Sequence, residues 1–248
     1  MTRRIQKDVP IPLYYQLKEI LKERIKSGDL ETGELIPSER ELGEIYEISR
    51  PTVRQAINEL VSEGFLRKEH GRGTYVAKQK ISQWFLQNLT SFSEEMAEKG
   101  LDFSTTVLKK EVVGVDSTLE EVFEGNFEQF YRLERLRCVN GEPYVIVTTY
   151  IPVKLAEGLI DEDLEQYSLY KTLEKKYQFQ IGYADRVIEA SNANKEDADL
   201  LAVDSTSAIQ LIKTRGYLEN DEVFEYSIAR YRGDLSNFTV RVPYQSNT

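Results

Sequence analysis

The chain has 248 residues, 40% of them hydrophobic and 30% charged, with 42 acids against 32 bases and a net charge of −10. That apolar fraction supports a packed core and excludes a wholly disordered chain, while the absence of a run of about 18 uncharged apolar residues excludes a membrane-spanning helix. One cysteine (Cys138) and one histidine (His70) exclude an intrachain disulfide and a Cys/His zinc site. With a polar N-terminus that lacks the apolar core of a signal peptide, the chain is expected to be cytoplasmic, without metal or cofactor.

In chain order, Leu13, Leu17, Ile20, Leu21 and Ile25 recur at helical spacing, and Gly28 follows as a stop. Gly33 to Pro37 reads as a short extended piece. Ser38 and Glu41 form a capping-box pattern that starts a second helix running to about Tyr46. Ser49 caps a third, which tolerates Pro51 in its first turn and ends at Gly64. Phe65 to Glu69 and Thr74 to Ala77 then read as two strands around a His70-Gly71-Arg72-Gly73 turn. A polar stretch, 77–84, reads as a linker between domains spanning 1–76 and 85–248. Beyond it, helices are expected near 91–99, 117–124, 168–177 and 195–202. Strands are expected near 105–114, 128–139, 143–151, 181–191, 207–218, 222–232 and 238–243. Short turns such as Asn140-Gly141-Glu142 and Glu219-Asn220-Asp221 join several strands directly, which favours an antiparallel α+β sheet. The fold class expected is therefore α+β in two domains.

The second and third helices, with a short Glu47-Ile48 turn, make a helix-turn-helix, and the hairpin is its wing. An overall negative charge argues against a nucleic-acid partner only if it is evenly spread. Residues 1–80 carry 15 bases and 13 acids, whereas residues 81–248 carry 17 and 29. Between Ser49 and Lys80, seven bases meet only three acids. The acid surplus belongs to the second domain, so the first can meet phosphate. In the third helix Val53, Ala56, Ile57, Leu60 and Val61 form the buried stripe. Arg50 and Arg54 share another face at its N-terminal end, the part of a recognition helix that meets base edges. Arginine suits that place because its planar fork can donate twice to guanine. Thr52 can offer its hydroxyl to phosphate or its methyl to thymine. Arg40 can reach backbone phosphate, and the wing tip presents His70, Gly71 and Arg72.

Pro37-Ser-Glu-Arg-Glu-Leu42, Ser49-Arg-Pro-Thr-Val-Arg-Gln-Ala56, Glu63-Gly64-Phe-Leu and His70-Gly-Arg-Gly-Thr-Tyr-Val76 resemble the winged-helix domain of the GntR superfamily of bacterial transcription regulators. The resemblance covers residues 10–76. It implies that Arg40, Arg50, Thr52, Arg54, His70 and Gly71 contact operator DNA. It continues in Thr90-Ser-Phe-Ser-Glu-Glu-Met96, Arg135-Leu-Arg137, Gly141-Glu-Pro143, Tyr150-Ile-Pro152, Ser168-Leu-Tyr170 and Arg230-Tyr-Arg-Gly-Asp234. Those segments are similar to the UTRA effector domain of the HutC-type branch. They imply a chorismate-lyase-like antiparallel α+β fold over about residues 85–245.

The residues themselves point to an anion pocket in that domain. On the strand near 128–139 the odd positions give Tyr131, Leu133, Arg135, Arg137 and Val139. Two guanidinium groups on an apolar face are costly unless an anion satisfies them; the alternative is an internal salt bridge to Glu134 or Glu225. Thr90 and Ser91 stand where a helix begins and can bind phosphate through free N–H groups, or simply cap it. Ser168 and Tyr170 open another helix with hydroxyl donors, and Glu225 and Tyr231 on a later strand complete the candidate set. Sugar-phosphate sensors of the branch bind phosphate through matching residues. In amino-sugar-phosphate sensors an acid often precedes the Tyr-Ile-Pro element, but Val145-Ile-Val-Thr-Thr149 contains none, which leaves the sugar open.

The expectation is a homodimeric regulator, most often a repressor in this branch. It would bind palindromic double-stranded operator DNA and be released by a small anionic effector, with a sugar phosphate favoured. The alternatives are a constitutive DNA-binding protein whose second domain only dimerises and, against the lack of any nucleophile–base pair, a lyase-like enzyme.

Overall fold

The computed structural model describes residues 5–78, 80–83, 89, 91–238 and 240. The chain divides into two compact units, residues 1–80 and 81–248.

The first unit packs three helices, α1 (Leu13–Lys26), α2 (Glu39–Tyr46) and α3 (Arg50–Ser62), with a hairpin of β1 (Leu66–Glu69) and β2 (Gly73–Val76). Both caps expected from sequence form. The Ser38 hydroxyl accepts from the Glu41 N–H while the Glu41 carboxylate accepts from the Ser38 N–H, and the Ser49 hydroxyl accepts from the Thr52 N–H. Between them Glu47 adopts a left-handed conformation (φ 52°) that ends α2, and Ile48 turns inward. Leu17 and Leu21 of α1, Leu42 of α2, and Val53, Ala56, Ile57 and Leu60 of α3 meet in one core. Val61, expected in the buried stripe, is half-buried at its rim. Lys18 bridges Glu59 and Glu63 and ties α1 to α3; those two carboxylates raise its pKa. The wing strands pair antiparallel, and Leu35 forms a bridge to Tyr75. At Gly73 φ is 124°, a backbone conformation that favours glycine over any residue with a Cβ. Because Leu60 is fully buried where α3 meets α1 and β1, Leu60→Ala is expected to cost about 2–5 kcal/mol. A fall in the urea midpoint followed by helical circular dichroism checks this; a loss below about 1 kcal/mol would contradict the packing.

The second unit opens on β3 (Ile81–Gln83), inside the stretch read as a linker, and continues through α4 (Phe92–Glu98), β4 (Phe103–Gly114), α5 (Ser117–Val122), β5 (Gln129–Val139) and β6 (Glu142–Pro152). Two 3-10 turns, Val153–Leu155 and Leu159–Asp161, were not expected from sequence. They lead to α6 (Leu169–Tyr177), β7 (Ile181–Asn192), α7 (Lys195–Leu201), β8 (Ala208–Leu218), β9 (Val223–Arg232) and β10 (Ser236–Phe238). Six strands form one sheet in the order β4-β5-β6-β9-β8-β7, with every neighbour antiparallel. Asn140 and Gly141, with φ of 50° and 78°, provide the two left-handed residues that a tight β5–β6 hairpin requires. A separate two-stranded sheet pairs β3 with β10 in parallel. Of the strand expected near 238–243, only Phe238 falls in β10; residue 240 lies outside any strand, and residues 239 and 241–243 fall outside the described residues.

Both faces of the large sheet are covered, which is why β6 is buried almost continuously from Tyr144 to Ile151 rather than alternating. One face packs Phe130 and Tyr226 against α5, and Ile146 and Ile209 against α7. The other carries Tyr131, Leu133 and Ile151 beneath α6 and the 3-10 turns, and Val145, Val147 and Tyr231 beneath α4. Between those two patches the second face stays open as a cleft. Among the described residues no helix is long and apolar enough to cross a membrane.

Candidate functional site

In the first unit, burial of the Val53/Ala56/Ile57/Leu60 stripe leaves Arg50, Arg54, Gln55 and Asn58 exposed along α3. Thr52 is half-buried, its hydroxyl 2.7 Å from that of Ser49. Arg54 is engaged: its Nε and Nη2 donate to the Glu39 carboxylate of α2 at 2.8–3.1 Å, which holds Glu39 below its ordinary pKa. Arg40 is exposed on α2 and bonds Glu44 one turn on at 2.9 Å. At the wing tip His70, Gly71 and Arg72 are all exposed, Gly71 is left-handed (φ 72°), and Arg72 lies 3.3 Å from Glu69. Lys68 of the wing strand donates to Asn58 Oδ1 at 2.8 Å and so joins the wing to the exposed face of α3. Sequence reasoning missed Glu39, Asn58 and Lys68. Each partnership spans separate elements, and only the tertiary packing shows it.

In the second unit the cleft encloses about 980 Å³ including its open mouth. Its floor draws on all six strands: Phe103 and Thr105, Arg135 and Arg137, Val147 and Thr149, Glu225 and Ser227, Thr214, and Arg186. Its walls are the start of α4, the 164–168 loop and the start of α6. Of the eight residues expected at an effector site, Ser91, Arg135, Arg137, Ser168, Tyr170, Glu225 and Tyr231 all line this one cleft. Thr90 lies outside the described residues.

Strand alternation places Arg135 and Arg137 on the cleft face, opposite Val147 and Val145 of β6. Arg135 is only 4% exposed, and the Nε of each arginine is buried without a hydrogen-bond partner. Glu134, one of the two carboxylates weighed as an internal partner, points to the other face, where it bonds Arg132 at 2.9 Å and Thr148. Glu225, the other, accepts instead from the Tyr170 hydroxyl. Arg137 has its guanidinium carbon 4.8 Å from the Phe92 ring centre, a cation–π contact. Burial lowers the pKa of both arginines, and Arg137 adds repulsion at Arg135. Arginine nevertheless stays protonated in proteins, so the cleft holds two desolvated cations. Burial also pushes up the Tyr170 hydroxyl, and the Tyr231 hydroxyl to about 12.

The two serines have structural duties. Ser91 caps α4, accepting from the Glu94 N–H at 3.3 Å and donating to Glu94 Oε2 at 2.8 Å. Ser168 caps α6 through the Lys171 N–H at 3.4 Å. A feature not anticipated is a polar row across β6, β9, β8 and β7, in which Thr149 faces Ser227, Ser227 faces Thr214, and Thr214 faces Arg186. The Thr149 hydroxyl is buried without a partner. Strand alternation hints at each member, but only the register aligns them.

Burial raises the Glu225 pKa, so the folded chain holds a proton there that the unfolded chain has released. This group therefore destabilises the fold as pH rises through the ordinary glutamate value, about 4.3, towards the raised one. Glu225→Gln is expected to flatten the dependence of the urea midpoint on pH in that window. A variant curve parallel to that of the wild type would contradict the burial effect.

Two family models divide the chain along the same lines. Residues 13–76 match the bacterial regulatory proteins of the gntR family, and residues 98–236 match the UTRA domain. The chain belongs to the GntR family. Among its relatives, the HTH-type transcriptional repressor NagR of Bacillus subtilis is 38% identical over 235 residues, covering 94% of this chain and 96% of that repressor. The mannosyl-D-glycerate transport/metabolism system repressor MngR of Escherichia coli is 30% identical over 92% of this chain and 95% of its own length. The crystal structure of PhnF from Mycobacterium smegmatis superposes with a TM-score of 0.75 at 26% identity, covering 94% of this chain and 99% of that one. This GntR-family member is accordingly a DNA-binding regulator of transcription of the HutC type, not an enzyme.

Proposed function

We propose that this GntR-family chain is a repressor that binds a palindromic operator as a homodimer and is released by a small anionic metabolite, with a sugar phosphate favoured. The observation that carries the effector class is the pair Arg135, buried, and Arg137, half-buried, which line one cleft with the Nε of each buried and without a hydrogen-bond partner. Two desolvated guanidinium groups are costly until an anion with several acceptor oxygens meets them, and phosphate does so through paired N–H···O bonds. Thr90 and Ser168 are the hydroxyl donors proposed around that anion, and Ser91 is proposed to join them by exchanging its hydroxyl bond to Glu94 for one to the ligand. Tyr170, Glu225 and Tyr231 are proposed to contact the rest of the ligand, whose hydroxyls suit a carboxylate and phenols. Relatives named as repressors, one of them for a mannosyl-D-glycerate system, support a carbohydrate-derived effector.

On the DNA side, Arg50 and Arg54 read base edges, Arg40 and Thr52 fix the phosphate backbone, and His70, Gly71 and Arg72 form the wing contact. One winged helix reads a half-site, so two-fold pairing of chains matches a palindrome. Release follows from linkage: an effector bound more tightly by the DNA-free dimer shifts the population away from the operator. The domains proposed for these tasks are 1–76 and 85–248 with a linker between them, in a cytoplasmic protein.

A thermal-shift screen of hexose phosphates, with the unphosphorylated sugars and inorganic phosphate as controls, tests the effector. A ligand at 100 times its Kd stabilises the folded state by about 2.7 kcal/mol. A phosphorylated sugar is expected to raise the melting temperature well beyond its unphosphorylated counterpart. No shift with any phosphorylated compound would overturn the reading.

A further inference from the structure

Arg54 of α3 is already committed to a partner before any DNA arrives. Its Nε donates to both Glu39 oxygens at 3.0 and 3.1 Å, and its Nη2 donates to Oε2 at 2.8 Å. A guanidinium group has two edges that can form paired hydrogen bonds: the side edge, Nε with Nη2, and the end edge, Nη1 with Nη2. Glu39 occupies the side edge. The end edge remains, and its two N–H groups can still meet guanine O6 and N7 as a fork. The Arg54 side chain is 61% exposed while that of Glu39 is 28% exposed, so the carboxylate lies deeper than the group it holds. Glu39 is itself fixed at the first position of α2, directly after the Ser38 cap. The partnership links the two helices of the helix-turn-helix across 15 residues of sequence.

We infer that Glu39 is a positioning residue for DNA recognition: it clamps the side edge of Arg54 so that the end edge is presented, pre-ordered, to a guanine. This rests on the proposed base contact of Arg54. The clamp has a chemical cost as well as a use, because an acid beside a DNA-binding face repels phosphate. Removing its charge should therefore have opposite effects on two observables. Non-specific affinity should hold or rise as repulsion is lost, while discrimination at one base pair should fall as the fork is freed to rotate. A residue acting only through charge would raise affinity for all sequences equally, and one acting only through folding would lower it for all.

The experiment uses the full chain and a duplex selected by the wild type from a random-sequence library. Each guanine of the half-site is replaced in turn by 7-deazaguanine, which lacks the N7 acceptor. The wild type should show one position where the replacement weakens binding by about ten-fold. In Glu39→Gln that penalty should shrink to within two-fold, while affinity for an unrelated duplex is unchanged or higher. In Arg54→Ala the penalty should vanish, and adding Glu39→Gln to Arg54→Ala should change nothing further at that position. An undiminished penalty in Glu39→Gln, with the penalty lost in Arg54→Ala, overturns the clamp and leaves the Arg54 contact standing. A penalty retained in Arg54→Ala overturns the contact itself, and the clamp with it. A parallel loss of specific and non-specific affinity in Glu39→Gln assigns Glu39 to folding and also overturns the clamp.

Discussion

Replacing Arg135 and Arg137 together with methionine is expected to abolish the response to a phosphorylated sugar while leaving the ligand-free chain as stable as the wild type, or more so. The two halves of that result share one cause. In the ligand-free cleft Arg135 is buried and Arg137 half-buried, the Nε of each is buried without an acceptor, and replacing such groups with apolar side chains of similar length removes a desolvation cost. In the ligand complex the same groups supply charge-assisted hydrogen bonds worth about 1.5–3 kcal/mol each. Losing one such bond from each arginine weakens binding by roughly 10²- to 10⁴-fold. Calorimetric titration with the hexose phosphate found by screening, together with urea unfolding of the ligand-free protein, measures both. Undiminished binding would remove the anion site. A large fall in ligand-free stability would show that the arginines serve the fold instead.

The second large effect is expected on DNA. Arg50→Ala with Arg54→Ala should lower affinity for the selected duplex by about 10²-fold or more, since each bidentate base contact carries roughly 1–3 kcal/mol of discrimination. Stability should fall by no more than about 1 kcal/mol, since Arg50 is exposed and the loss at Arg54 is that of a largely exposed ion pair with Glu39. Arg40→Ala should behave differently, because a phosphate contact carries no sequence information. It should weaken all duplexes alike and reduce the slope of log affinity against log salt by about one. Mobility shifts at several salt concentrations separate the two patterns. Full specific binding by the double variant would contradict the placement of the recognition helix.

The sequence made much of this visible because local chemistry decides helix ends and strand faces. Ser38 with Glu41, and Ser49 ahead of Pro51, announce the two helices of the reader, and both caps form as their spacing implies. Period-two alternation put Arg135 and Arg137 on one face of β5, where they meet Ser168, Tyr170 and Glu225 in a single cleft. Pairings between distant elements stayed hidden. The Thr149–Ser227–Thr214–Arg186 row depends on register across β6, β9, β8 and β7. The stretch containing Thr149 drew notice only for lacking an acid, while its hydroxyl stands buried and unpartnered in the cleft. The parallel pairing of β3 with β10 joins segments some 150 residues apart, which no local signal encodes. The Glu39–Arg54 clamp was hidden for the same reason. Each residue looked like an ordinary member of its own helix, and only the packing of α2 on α3 brings them together.

Net charge shows the same difference between a sum and an arrangement. The value of −10 reflects the second unit, with 29 acids against 17 bases, and says little about a first unit with 15 bases and 13 acids.

The most direct test of the central claim is fluorescence anisotropy of the labelled selected duplex bound to the full chain, titrated at fixed salt with the hexose phosphate that stabilises the protein. The wild type is predicted to release the duplex over the concentration range in which the cleft fills. The Arg135→Met/Arg137→Met variant is predicted to bind the duplex and keep it throughout. Saturation of the wild-type cleft with no change in duplex affinity would contradict the account.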